Sequence, residues 1–187
     1  MLKLRTDAAQ NRADILTAAD TVFAEHGVTA PLDLVCKRAG VGRATLYRNF
    51  PDRHCLLVAL LDRSLDEMED KANALGDGAD AFFELLRFHS QRISARASLV
   101  DYWRVIDRDN PEISRARQRI QDILKPHLDR AVSAGHCRSD ITPDDISLLI
   151  NMLGAALRGR TPGEQARLGV RALDLLIEGL KPRAASR

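Results

Sequence analysis

The sequence predicts an all-α protein, and three observations predict it. Leu and Ala supply 51 of the 187 residues while Gly and Pro supply 18, so strong helix formers far outnumber helix breakers. Apolar residues recur at i, i+3, i+4 and i+7 through most of the chain, the period of an amphipathic helix. No strand-type alternation, internal repeat or low-complexity tract interrupts that pattern.

The elements follow in order. A first helix is expected to run to about His26, where Gly27 can end it in a left-handed conformation. Its buried stripe is Ile15, Ala18, Ala19, Val22 and Phe23. A second, short helix begins at Pro31, which suits a first helical position, and buries Leu32, Val35, Cys36 and Ala39. Gly40-Val41-Gly42 turns tightly into a third helix from about Arg43 to Asn49. Pro51 breaks the chain, and Asp52 can cap a fourth helix carrying Leu56, Leu57, Leu60, Leu61, Leu65 and Met68. Gly76-Asp77-Gly78 ends it. Further helices are expected near 79–96, 98–107, 111–134, 143–158 and 162–180, the third of these marked by Asn110-Pro111-Glu112, a cap, a first-turn proline and a first-turn acid. Pro126 should kink or split that helix, because it removes a backbone donor and clashes with the preceding turn.

Composition narrows the function classes. The chain carries 28 Lys and Arg against 26 Asp and Glu, a net +2, with 45% apolar and 29% charged residues. These are globular values, and the length suits one domain or two small ones. The longest apolar run, Cys55 to Leu61, has seven residues, far short of the roughly 20 that span a bilayer. The amino end has no apolar core of the secretory kind, so no membrane partner is expected. Three widely spaced cysteines (Cys36, Cys55 and Cys137) form no CxxC, which fits a cytoplasmic protein whose thiols act as small hydrophobes. His54, His89, His127 and His136 are scattered, and the loop holding His136 and Cys137 lacks a second ligand pair. No metal, cofactor or catalytic residue is therefore expected.

Two short helices joined by Ala39-Gly40-Val41-Gly42 and buttressed by a longer one describe a helix-turn-helix. Ala39 lets the helices approach, Gly40 can take positive φ, and Val41 can plug the gap. Between Lys37 and Arg53 lie five cations (with Arg38, Arg43 and Arg48) and one anion, Asp52, so positive charge is concentrated where a duplex would dock. Leu46 and Phe50, four apart, should face the core, leaving Arg43, Ala44, Thr45, Tyr47, Arg48 and Asn49 for DNA. Thr45 and Tyr47 offer hydroxyls to phosphates. Arg43 and Arg48 can read guanine edges or neutralise backbone, and Asn49 could do either. Lys37 and Arg53 complete the expected DNA-binding set.

The segment GVGRATLYRNFPDRHCLL resembles the helix-turn-helix signature of the tetracycline-repressor-like (TetR/AcrR) transcriptional regulators, and RADILTAADTVFAEHG resembles their first helix. The resemblance by motif covers about residues 10–62. It implies that Thr45 and Tyr47 contact phosphates, that Arg43 contacts base or backbone, and that Arg53 stands where the family usually has a phosphate-binding lysine. Three positions depart from the family pattern: Ala30 where Thr or Ser is common, Gly42 where Ser is usual, and Asn49 where His is frequent. The resemblance further implies a repressor released from DNA by its ligand.

The remaining helices are expected to form a ligand-binding and dimerisation domain over 51–187, with the DNA-binding domain over 1–50. In the last helix, Ala166, Val170, Leu173, Ile177 and Leu180 form one seam, and Leu168, Ala172 and Leu175 another. Residues two apart lie about 200° apart around a helix, so the seams face opposite ways. The preceding helix behaves alike, with Ile146, Leu149, Ile150, Leu153 and Leu157 against Leu148, Met152 and Ala155. A helix apolar on two sides must be covered twice, by its own subunit and by a symmetry mate, or else sit centrally in a monomer. Ile146, Ile150, Leu153, Leu157, Val170, Leu173, Ile177 and Leu180 are the expected dimer interface. A homodimer would present two recognition helices to a palindromic operator in double-stranded DNA. For a small-molecule effector, apolar bodies with polar handles are Phe82, Leu86, His89, Tyr102, Trp103, His127 and Met152, with Arg104 and Asn151 of similar type. A small all-α enzyme, or a DNA-binding protein insensitive to ligand, would use the same helix-turn-helix as scaffold.

Overall fold

The structure, a computed structural model, describes residues 2–105, 110–155 and 161–182. Among these residues the chain forms α1 (Leu2–His26), α2 (Leu32–Ala39), α3 (Arg43–Asn49), α4 (Arg53–Leu75), α5 (Ala81–Ala95), α6 (Ala97–Val105), α7 (Pro111–Ser133), α8 (Pro143–Ala155) and α9 (Pro162–Leu180). The all-α expectation holds, and most helix boundaries fall within a residue or two of the expected ones. Pro31 sits one residue outside its expected place, as the N-cap of α2 (φ −56°, ψ 133°), and lends no side-chain cap. Nor does Pro126 split α7, which runs on through it. One lost backbone bond is outweighed by the buried Leu124, His127, Leu128 and Ala131 that anchor both halves. Among the described residues no helix is long and apolar enough to cross a membrane.

The helices pack as two compact units. The first comprises Met1–Ser64 with Arg96–Asp107, and the second Leu65–Ala95 with Arg108–Arg187. The first unit is built on the α1 stripe. Ile15, Ala18, Ala19, Val22 and Phe23 are all buried, with Val35 and Cys36 of α2, Leu46 of α3, Phe50, and Leu56, Leu57 and Leu60 of α4. Asp52 caps α4 by accepting the Cys55 N–H at 2.7 Å. An ion cluster fastens this unit from inside. Asp20 of α1 accepts Nε and Nη2 of the buried Arg96 at 2.8 and 2.7 Å and Nη2 of Arg63 at 2.8 Å. Arg96 also donates to Ser64 at 3.0 Å, and the Ser98 hydroxyl donates to the Phe23 carbonyl at 2.7 Å, which docks α6 on α1.

The second unit is centred on α5, which packs against α7, α8 and α9. Phe82, Leu85, Leu86 and Ile93 of α5 are buried, as are Ile146, Leu149 and Leu153 of α8 and Leu173 and Leu180 of α9. Gly169 lets α9 approach closely, because a Cβ there would lie 3.0 Å from the Ser94 hydroxyl of α5. The side chain of Asn110 caps α7, accepting from Glu112 and Ile113 at 2.9 and 3.2 Å. Outside the core, α8 and α9 expose Leu148 (55%), Met152 (45%), Leu168 (38%), Val170 (61%) and Leu175 (56%).

Candidate nucleic-acid interface

The turn before α3 is made by backbone geometry alone. Gly40 takes φ 68°, where a Cβ would be strained, and its N–H bonds back to the Cys36 carbonyl. Gly42 is the N-cap of α3 without a side-chain cap bond, and its carbonyl accepts from Thr45 and Leu46 at 3.0 and 3.1 Å. Leu46 is fully buried and Phe50 nearly so, which fixes the rotation of this short helix. The opposite face goes to solvent: Arg43, Ala44, Tyr47 and Arg48 are exposed, while Thr45 and Asn49 are half-buried.

The polar groups on this face are already ordered. Arg48 donates from Nη2 to the Thr45 hydroxyl at 3.0 Å and from Nε to the Ala44 carbonyl at 3.2 Å. Thr45 acts there as acceptor, so its own O–H proton is left to be donated to a phosphate. Asn49 donates from Nδ2 to the Thr45 carbonyl at 2.8 Å. Arg12 of α1 lies with its guanidinium 4.4 Å from the Phe50 ring centroid and donates to the Asn49 carbonyl at 3.3 Å, a role that its place in the first helix does not signal.

The charge count over residues 37–53 misses two anions supplied from outside that window. Glu25 takes both arms of Arg38, at 2.9 and 2.8 Å, and this pairing holds the Glu25 carboxyl below its usual range. Asp33 of α2 takes Arg43 in the same forked manner, Nε to Oδ1 at 2.6 Å and Nη2 to Oδ2. Arg53 is half-buried, donates to the Val28 and Ala30 carbonyls, and lies over the Phe23 ring, 5.7 Å from its centroid. It ties the turn between α1 and α2, a duty that the family's lysine position does not suggest. Lys37 is exposed on α2.

Residues 15–60 match the bacterial regulatory proteins of the tetR family, and residues 77–182 match the C-terminal domain of SbtR-like transcriptional regulators. The chain belongs to the TetR family. A TetR transcriptional regulator of Streptomyces coelicolor is 33% identical, with a TM-score of 0.71 over 92% of this chain and 99% of its own. The TetR transcription regulatory protein of Mycobacterium vanbaalenii is 29% identical, with a TM-score of 0.71 over 95% and 99%. HTH-type transcriptional regulators of Staphylococcus aureus are 31% identical over 85 residues, 45% of this chain and 46% of theirs. The chain thus spans about half the length of the curated relatives it matches. The family and the relatives it groups are transcriptional regulators, and the helix-turn-helix is the part of this chain that the family model matches.

In this TetR-family chain the remaining expected site residues divide between the units. Tyr102 and Trp103 lie in the first unit, where the Tyr102 hydroxyl pairs with His54 Nδ1 at 3.2 Å and Trp103 stands edge-on to the His54 ring at 6.0 Å. Phe82, Leu86, His89, His127 and Met152 lie in the second. His127 is buried, and Nδ1 accepts from Arg130 at 2.9 Å. Burial and that arginine hold the ring below its ordinary value. Of the residues expected at a dimer interface, Ile146, Leu153, Leu173 and Leu180 are buried inside the second unit, Ile150 and Ile177 are half-buried, and Val170 is exposed. Leu157 lies outside the described residues, as do the side chains of Arg104 and Ala155.

His89 sits among Phe82, Leu85, Leu86 and Ile93 on the buried face of α5, and its buried Nε2 has no hydrogen-bond partner among the described residues. Burial pulls its pKa from 6.5 down to about 4. The folded protein therefore keeps this ring neutral, while the unfolded chain takes up a proton below about pH 6.5. Stability is fully present above that pH and is expected to fall as pH drops toward about 4, by up to about 1.4 kcal/mol per pH unit from this group. His89→Leu should flatten that part of the dependence. Urea unfolding of both proteins at several pH values in this window reads it, and an identical slope in the variant refutes the assignment.

Proposed function

We propose that this regulator is a cytoplasmic homodimeric repressor, bound to a palindromic operator through α3 of each subunit and released by a small molecule held in the second unit. The solvent-facing side of α3 carries this reading: Arg43, Thr45, Tyr47 and Arg48 stand outward on a helix whose rotation Leu46 and Phe50 lock. Lys37 and Arg12 flank it with charge for the phosphates. Residues 1–50 form the reading head in this proposal, and residues 51–187 the ligand-binding and dimerising part.

The dimer reading is supported by the exposed Leu148, Met152, Leu168, Val170 and Leu175 of α8 and α9. Five large apolar side chains on two packed helices are more than scattered surface hydrophobes, and a second copy of the same pair would cover them. In this reading the interface is the second seam of each helix, Leu148 and Met152 of α8 with Leu168 and Leu175 of α9, joined by Val170 from the edge of the first. Two copies of α3 about 34–36 Å apart would then read half-sites one turn apart on a duplex. For the effector, the α5 face bearing Phe82, Leu86 and the unpartnered His89 Nε2 offers apolar cover with one polar handle. A ligand that prefers one dimer conformation lowers operator affinity by the ratio of its affinities for the two.

Selection of bound sequences from a random duplex library tests the whole reading. Two inverted copies of one short motif at fixed spacing are expected. A single uninverted motif removes the palindrome and the dimer from it, and no enrichment at all removes sequence-specific binding.

A further inference from the structure

We propose that Asp33 is a positioning residue for base recognition, and that the Asp33–Arg43 fork makes Arg43 a reader of guanine. This inference rests on the proposed placement of α3 in a major groove. Arg43 stands at the first position of α3, and Asp33 on α2 grips it through Nε and Nη2. A guanidinium has two edges from which two parallel N–H groups can be donated. The carboxylate occupies the side edge, Nε with Nη2. The end edge, Nη1 with the second proton of Nη2, makes no hydrogen bond among the described residues, and the arginine side chain is 71% exposed. That end edge matches the O6 and N7 acceptors of guanine.

Charge decides between base and phosphate. The fork pairs one guanidinium with one carboxylate and so carries no net charge as a unit, and the Asp33 side chain is itself 54% exposed. A phosphate approaching Arg43 would meet a carboxylate beside it, and the pair would release little counterion on binding. Guanine O6 and N7 are neutral acceptors and meet no such repulsion. The fork also removes rotamer freedom from a long side chain before DNA arrives, which lessens the ordering cost of binding. Arg48 differs: its partners are the neutral Thr45 hydroxyl and the Ala44 carbonyl, so its charge is undiminished for the backbone.

Library selection with wild type, Asp33→Ala, Asp33→Asn and Arg43→Ala, followed by titrations of the recovered operator at several salt concentrations, tests this. Wild type should show one guanine per half-site whose replacement weakens binding by about 5- to 150-fold, the range of a bidentate arginine–guanine contact. Arg43→Ala should erase that preference and leave the salt slope nearly unchanged, whereas Arg48→Ala should reduce the slope by about one. Asp33→Ala should relax the same guanine position alone, to about threefold or less by the same arithmetic, while binding to random duplex strengthens as Arg43 turns to phosphates. Asp33→Asn, which keeps one acceptor, should fall between. Melting curves of the variants separate these effects from unfolding. If Asp33→Ala keeps the guanine preference that Arg43→Ala loses, Asp33 positions nothing. A uniform loss for all sequences with Arg43→Ala makes Arg43 a phosphate contact, which overturns the proposal while leaving the operator reading intact. Failure of wild type to enrich any motif would instead overturn the operator reading and this inference with it.

Discussion

Replacing Leu148 and Leu175 together by glutamate should convert the protein to monomers and lower operator affinity at least about a hundredfold, since each subunit alone reaches only half a palindrome. Both side chains are more than half exposed, one on α8 and one on α9, so the substitutions leave the core of the second unit alone. In a symmetric pair each change occurs twice. Covering the exposed part of four leucines is worth on the order of 1 kcal/mol each, and burying four carboxylates without partners costs several more. Sedimentation should give the single-chain mass of 20.7 kDa, with helix content unchanged by circular dichroism. A mutant that remains a dimer refutes the second seam as the interface. Leu173→Glu serves as the contrast: Leu173 is buried, so it should unfold the second unit rather than merely separate subunits.

That contrast marks what a single sequence reveals here. Period and capping placed every helix, because Leu46, Phe50 and the α1 stripe leave only one side for the core, and Asp52 and Asn110 announce their helices locally. Two opposed apolar seams on α8 and α9 were equally legible. Which seam faces inward was not, since both are leucine-rich and the choice depends on where α5 lies. Gly169, facing Ser90 and Ser94, records that packing but carries no seam signal of its own. The expected DNA-contact set was read from a window of sequence, whereas the partners Asp33 and Glu25 come from neighbouring helices. A cation on a recognition helix and a cation already gripped by a carboxylate look alike in sequence. Arg53 shows the same limit, its guanidinium bonded to carbonyls 23 and 25 residues away along the chain.

Removing the carboxylate of Asp20 should markedly destabilise the first unit. Asp20 stands between two guanidinium groups, Arg63 and the buried Arg96, and all three join α1, α4 and the start of α6. Asp20→Ala leaves two cations close together with no anion from this position, in surroundings that hydrate them poorly. Breaking a fully buried pair costs about 3–5 kcal/mol. Asp20 and Arg63 are each about a quarter exposed, and water screens part of that, so about 2–4 kcal/mol is expected. For a chain of this size the melting temperature should fall by roughly 4–16 °C. Arg96→Met should cost less, because Asp20 keeps Arg63 and the methionine retains most of the packing. The decisive comparison is the double variant Asp20→Ala with Arg96→Met: it should be more stable than Asp20→Ala alone, since it also removes a buried guanidinium that has lost the Asp20 carboxylate it shared with Arg63. Strict additivity of the two single losses would mean that the cluster is not an electrostatic unit, and the contribution of Asp20 would then be ordinary packing of α1.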